Sequence, residues 1–232
     1  MTRGHAHHPP QVLLQPWRVV TVQQYCLPGG QEEISRTILE LEKVHIVRPT
    51  HSPFNSPVWP VKKPDGTWRM TVDYRKLNKV TPPLHMAVLS IHDLMDCLTI
   101  RLGTYHYIVD LVNTFFSIDT APECQEQFAF TWDGRQWTFQ VLLQGYLHSP
   151  TICHGLIAQD LAQWDHLSSV ALFHYVDDIL LTSDSFSDLE QAAPSLLRHL
   201  KSHGWVVNEG KVQGPGLSIK FLGVVWSGKG HT

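Results

Sequence analysis

Charge is scarce in this sequence. Asp, Glu, Lys and Arg together make up 17% of its 232 residues, against 43% hydrophobic residues. That balance excludes a disordered, solvated chain and predicts a packed globule of one large domain or two small ones. Cysteine is scarce too: Cys26, Cys97, Cys124 and Cys153 stand apart with no CxxC pair, which argues against a zinc site or a disulfide framework. Long apolar runs are missing, and none approaches the roughly 20 residues that a membrane helix needs. Nor does a basic, hydrophobic leader follow Met1. The expected setting is therefore intracellular and cytoplasmic, with no membrane partner. The His5-Ala6-His7-His8 run reads as a polar tail.

The net charge of −3 argues mildly against nucleic-acid binding, which rests on neutralising phosphates. Its distribution argues the other way. Lys62, Lys63, Arg69, Arg75, Lys76 and Lys79 lie within residues 61–80, opposed only by Asp65 and Asp73. Alone, such a run is as well explained by a solvated face.

Along the chain, residues 1–30 are rich in Pro and Gly and predict a poorly ordered lead-in with one short strand at 19–23. Ile34, Ile38, Leu41 and Val44 recur at helical spacing, with Glu32 and Glu33 in the first turn, and predict a helix over 31–44. Four prolines between Pro49 and Pro60 forbid another long helix there. Residues 58–63 and 67–73 form a strand pair about the turn Pro64-Asp65-Gly66. A short helix over 89–98 opens at Ser90, with Asp93 placed for a capping box. A strand over 105–111 precedes a second hairpin, 128–132 and 136–142, about Asp133-Gly134. Ser149-Pro150 starts a helix to about 165. Strands at 171–175 and 179–182 enclose Asp177-Asp178. A helix over 187–203 stops at Gly204, and a last strand spans 219–225 with Gly223 inside it. The order is mixed α+β with antiparallel hairpins.

Three carboxylates stand where apolar strands stop. Asp110 follows Tyr107-Ile108-Val109, and Asp177-Asp178 lies between two apolar runs. Unpaired charges in such surroundings cost several kcal/mol unless neutralised. A divalent cation would neutralise them, and oxygen-only ligands favour magnesium. A water-facing Asp-Asp hairpin turn is the plainer reading of those two residues alone.

Five ordered segments narrow the choice. The stretch from His174 through Tyr175-Val176-Asp177-Asp178 to Leu181 (a YVDD motif) resembles the signature hairpin of retroviral reverse transcriptases. Val109-Asp110-Leu111 with Phe115-Phe116-Ser117-Ile118 is similar to that family's first catalytic motif. Gln144-Gly145-Tyr146 with His148-Ser149-Pro150 resembles its nucleotide-holding loop and helix start. Ser56-Pro57-Val58, Val61 to Gly66 and Trp68-Arg69 resemble its fingers hairpin, and Phe221-Leu222-Gly223 its primer-gripping hairpin. The sequence is most similar to spumavirus-related endogenous retroviruses.

The resemblance implies an α+β right-hand polymerase, with fingers and a palm whose antiparallel sheet is backed by helices. The lead-in would be 1–30, the fingers 31–84 and about 119–149, the palm 85–118 and about 150–232, with thumb and ribonuclease H domains absent although the parent Pol would carry the latter. It implies RNA-directed DNA synthesis with two Mg2+ ions, Mn2+ being a possible substitute. Asp110, Asp177 and Asp178 would be catalytic and would hold the metals together with the carbonyl of Leu111. Lys63, Arg69, Asn113, Thr114, Phe115, Gln144, Gly145 and Tyr175 would meet the substrate, Phe115 as the ring that rejects a ribose 2′-hydroxyl. Phe221, Leu222 and Gly223 would grip the primer, and Lys211 is the candidate general acid. Partners would be an RNA or DNA template, a DNA or tRNA primer and a dNTP; the oligomeric state is left open. Leu143, Asn113-Thr114 and His45 depart from the family pattern, where proline, an acidic or polar residue with alanine, and glycine are usual. A silent nucleic-acid-binding remnant is therefore the alternative, and an RNA-making palm polymerase is disfavoured by Phe115.

Overall fold

The computed structural model describes residues 4–86, 90–227 and 230–231. The chain divides into two compact units. The first is His8–His85 with Phe115–Ser149, and the second is Gly4–His7 with Met86–Thr114 and Pro150–Thr232.

In the first unit the expected amphipathic helix runs Gln31–Lys43 and buries Ile34, Ile38 and Leu41. It leaves through His45, whose φ of 57° is left-handed, the conformation expected of a helix-end glycine. The hairpin Val58–Lys62 with Trp68–Val72 closes as its turn chemistry dictates. Asp65 Oδ1 accepts from the Thr67 amide at 2.9 Å and the Thr67 hydroxyl at 2.6 Å, while Gly66 takes a φ of 84°. A three-stranded sheet orders Val47–Pro49, Arg135–Phe139 and Phe130–Trp132. Its tight turn places Asp133 and Gly134 at φ 49° and 71°, as a two-residue hairpin turn requires. Beneath lies an aromatic core. Tyr74 packs edge-on against Phe128 with its hydroxyl donating to the Phe128 carbonyl at 2.9 Å, and Phe128 meets Tyr146 at 5.0 Å.

The lead-in is irregular but not loose. Gln11 exchanges backbone hydrogen bonds with Asp119 and Ala121, the Val22 amide donates to Asn55, and Leu13 and Val22 are buried. The expected strand at 19–23 shrinks to a single bridge, Thr21 to Asn55.

The second unit is built on an antiparallel sheet in the order Gln213–Gly216, Tyr105–Val112, Asp178–Ser183, Val170–Tyr175, with Val206–Val207 pairing the far end of Tyr105–Val112. Helix Phe186–Ser202 packs on Asp178–Ser183 and Tyr105–Val112, and helix Ile91–Arg101 packs on Val170–Tyr175. Strand alternation places Ile108 and Leu180 in one apolar cluster with Leu94, Leu98, Phe221 and Trp226. The Ser90 hydroxyl accepts from the His92 amide as a helix cap; residue 89, where that helix was expected to begin, lies outside the described residues. The single strand expected over 219–225 is corrected to a hairpin, as the resemblance at Phe221-Leu222-Gly223 implied: Ser218–Phe221 pairs with Val224–Ser227, because Leu222 and Gly223 both turn left-handed at φ 52° and 79°.

Candidate active site

Register brings the carboxylates together. Strands Tyr105–Val112 and Asp178–Ser183 run antiparallel with Asp110 opposite Asp178, and Tyr175 pairs with Asp178 across the hairpin. Val176 and Asp177 form the turn, and the Leu111 amide donates to the Asp177 carbonyl at 2.9 Å, tying the turn to the neighbouring strand. The turn holds Val176 at φ 52°, a left-handed position that costs a β-branched residue about 1–3 kcal/mol.

The electrostatics follow from that crowding. Burial, then the Asp110 charge, raises the Asp177 carboxyl above its ordinary range. Burial, then Asp177 and Asp110, pushes Asp178 up to about 6. Two groups answer Asp110: Lys211 Nζ lies 3.3 Å from its Oδ2, and Asn208 donates to that oxygen through its amide side chain at 3.2 Å and to the Asp110 carbonyl through its backbone at 2.8 Å. Three carboxylates and a nearby carbonyl suit a hard divalent cation in number and charge. They are not yet gathered around one, for among the described residues no three of His, Cys, Asp and Glu form a ready-made metal site.

A groove of about 570 Å³ runs from Asp110 and Asp178 past Lys211 and Gln213 to Phe221 and Leu222. Gln213 fastens the hairpin through its side-chain amide, which accepts from the Lys220 amide at 2.9 Å and donates to the Lys220 carbonyl at 3.1 Å. The three expected primer-grip residues and Lys211 therefore share one groove with two of the carboxylates.

In the first unit a cavity of about 420 Å³ gathers Lys63, Arg69, Gln144 and Gly145, with Trp68 and Phe116 on its walls. Its loop is held by Asn78, which donates to the Gly145 carbonyl at 2.8 Å and accepts from the Leu147 amide at 3.0 Å. Gly145 has a φ of 90°, so glycine is required there. Leu143 also lines the cavity, with its side chain buried.

The remaining expected residues are scattered. Phe115 begins a short 3₁₀ turn, Phe115–Ser117, and is half-buried, as is Tyr175. Asn113 is exposed at φ 54°, a conformation asparagine tolerates. Thr114 is only 5% exposed and hydrogen-bonds Cys153, whose thiol burial pushes up to about 12. Sequence reasoning missed Asn78, Asn208 and His154, which act through partners far away in the chain, and the role of His174, which bonds the backbone only two residues on.

Residues 61–226 match the family model described as reverse transcriptase (RNA-dependent DNA polymerase). The chain belongs to the reverse transcriptase family. Its relatives are retroviral, in line with the resemblance read from its motifs. This reverse transcriptase chain is 34% identical over 214 residues to the Gag-Pol polyprotein of walleye dermal sarcoma virus, covering 91% of itself and 12% of that protein. It is 34% identical over 209 residues to the Pro-Pol polyprotein of feline foamy virus, covering 90% and 18%. Among solved structures, the foamy viral protease–reverse transcriptase in complex with double-stranded DNA superposes with a TM-score of 0.86 at 27% identity, over 99% of this chain and 40% of that one. The chain thus spans less than a fifth of these two polyproteins' length.

Proposed function

We propose that this chain is the fingers and palm of an endogenous-retroviral Pol protein, and that it extends a primer 3′-hydroxyl with deoxynucleotides along an RNA or DNA template. The observation that carries the proposal is the register pairing of Asp110 with Asp178 beside Asp177, in a groove shared with the 218–227 hairpin. On this reading Asp110, Asp177, Asp178 and the Leu111 carbonyl would hold two Mg2+ ions, or Mn2+ in their place, which would supply the positive charge needed at the attacking and leaving oxygens. The two raised carboxyls support it: their charged forms are disfavoured until a cation arrives.

The chain's own side chains would then bind, orient and exclude. Arg69 offers a planar fork for phosphate oxygens and Lys63 a point charge. Gln144 would contact sugar and base, its loop braced by Asn78. Phe115 would reject the 2′-hydroxyl sterically. Lys211, 3.3 Å from Asp110, would give a proton to the departing pyrophosphate.

The same ion pair favours a second reading. A carboxylate already satisfied by Lys211 also fits a silent nucleic-acid-binding remnant. Incorporation of labelled dNTP on a primed RNA template with Mg2+, beside an Asp177→Asn variant, separates the two. Polymerisation that falls to background in the variant is the expected result. No incorporation by a folded parent that still binds RNA–DNA duplex in a salt-sensitive way would establish the remnant.

A further inference from the structure

The turn that carries Asp177 and Asp178 is held by two imidazoles from different elements. His154 lies on helix Ser149–Leu161 and His174 on strand Val170–Tyr175. Both reach the backbone of one residue, Val176, which sits left-handed at φ 52°. The Val176 amide donates to His154 Nδ1 at 3.0 Å, and His174 Nε2 donates to the Val176 carbonyl at 2.6 Å. The rings stack on each other with centroids 4.2 Å apart and planes 11° from parallel. His174 is buried, with 7% of its surface exposed.

We propose that His154 and His174 are a positioning pair, whose stacked rings grip both polar groups of the Val176 residue and so fix the direction in which Asp177 and Asp178 present their oxygens. The proposal rests on the polymerase reading above, since it concerns how the acidic turn is aimed at its cations.

The chemistry is specific about atoms. His154 must keep Nδ1 free of a proton to accept, and His174 must carry its proton on Nε2 to donate. Burial favours the neutral ring in both cases, as two stacked neutral imidazoles require. Each ring acts through the backbone of one residue, and His154 also packs against the Tyr175 ring with centroids 6.2 Å apart. A valine would not hold a left-handed conformation unaided, because its Cβ crowds the following carbonyl. Two further hydrogen bonds over-determine what local sterics oppose.

The nitrogen used by each ring dictates the test. Asparagine places a carboxamide atom where Nδ1 of histidine lies, and glutamine places one where Nε2 lies. His154→Asn can therefore still accept and His174→Gln can still donate, whereas His154→Leu and His174→Leu keep bulk and lose the bond. The measurement is Mn2+ affinity of the full chain by electron paramagnetic resonance, with thermal midpoints and nucleotide incorporation alongside.

Each Leu variant is expected to weaken Mn2+ binding by roughly 10- to 100-fold, the usual effect of losing an outer-shell partner. The Asn and Gln variants should recover the affinity to within about threefold. Leu variants that bind Mn2+ as tightly as the parent would overturn the proposal. So would an equal loss in all four variants in step with their thermal midpoints, which would mark the pair as packing alone. A parent chain that binds no Mn2+ would also overturn it. If Mn2+ binds and is lost in Asp177→Asn but no nucleotide is incorporated, the polymerase reading fails, and the four variants still decide the clamp by their affinities.

Discussion

Asp178 concentrates the electrostatic tension of the site in one carboxyl. Its ordinary value of 3.8 rises to about 6 through burial and then through Asp177 and Asp110. Below pH 3.8 the folded and unfolded chains are both protonated there and the group costs nothing. As pH rises through about 6 the unfolded chain has released a proton that the folded chain retains, and the fold loses stability. Because the group is half exposed, screening reduces this loss to about 1 kcal/mol at neutral pH. Metal-free Asp178→Asn should thus melt above the parent at pH 7.5, and the two midpoints should converge near pH 4. Equal midpoints throughout would show the carboxyl to be solvated. Phe115 is the other residue whose role can be read by one substitution. Removing its ring in Phe115→Ala should raise ribonucleotide use relative to deoxynucleotide by about tenfold or more, measured as a ratio of kcat/KM values. An unchanged ratio would leave the ring a packing residue in the Phe115–Ser117 turn.

Among the elements, legibility tracked local chemistry. Pro64-Asp65-Gly66 and Asp133-Gly134 carry turns whose cause lies within a few residues, and both hairpins formed where those residues stand. His45 occupies a left-handed helix exit, as its departure from glycine suggested. The hairpin at 218–227 was legible only through the family resemblance; the local pattern read one strand because Leu222 is no turn residue, although it stands at φ 52°. Asp110 and Asp177-Asp178 stood out as charges among apolar neighbours, whereas the supports around them left no local trace. Asn208 reaches Asp110 from 98 positions away, and His154 reaches Val176 from 22.

The strand and helix that meet at those histidines carry a pH dependence of the opposite sign to that of Asp178. Burial, then the neighbouring His154, lowers His174 from 6.5 to about 4. Above pH 6.5 the ring is neutral whether folded or not. Between 6.5 and 4 the unfolded chain takes up a proton that the folded ring refuses, so stability falls with acid by about 3 kcal/mol. His174→Gln has nothing to protonate. Urea unfolding of the two proteins should show a stability difference that shifts in the variant's favour on going from pH 7.5 to pH 4, and a constant difference would contradict the buried neutral ring.

For the whole molecule, the net charge of −3 concealed a division of labour. All six basic residues between Lys62 and Lys79 belong to the first unit, and the three carboxylates belong to the second. Arg75 is already paired with Asp73 at 2.7 Å, so it has less to offer a phosphate than the others do. Lys62 sits 5.9 Å over the Trp68 ring, which leaves its charge at the surface of the hairpin. If this strip follows a nucleic-acid backbone, each phosphate it neutralises releases counterions, and affinity must fall with salt in proportion to their number. Replacing Lys62, Lys76 and Lys79 by Gln, one at a time, should lower the slope of log affinity against log salt on an RNA–DNA duplex by about 0.9 for each phosphate no longer neutralised. Arg75→Gln should change it least. A slope that none of these substitutions alters would return the strip to a solvated face. The affinity of the duplex would then rest on other groups, and Lys62, Arg75, Lys76 and Lys79 would have no part in holding it.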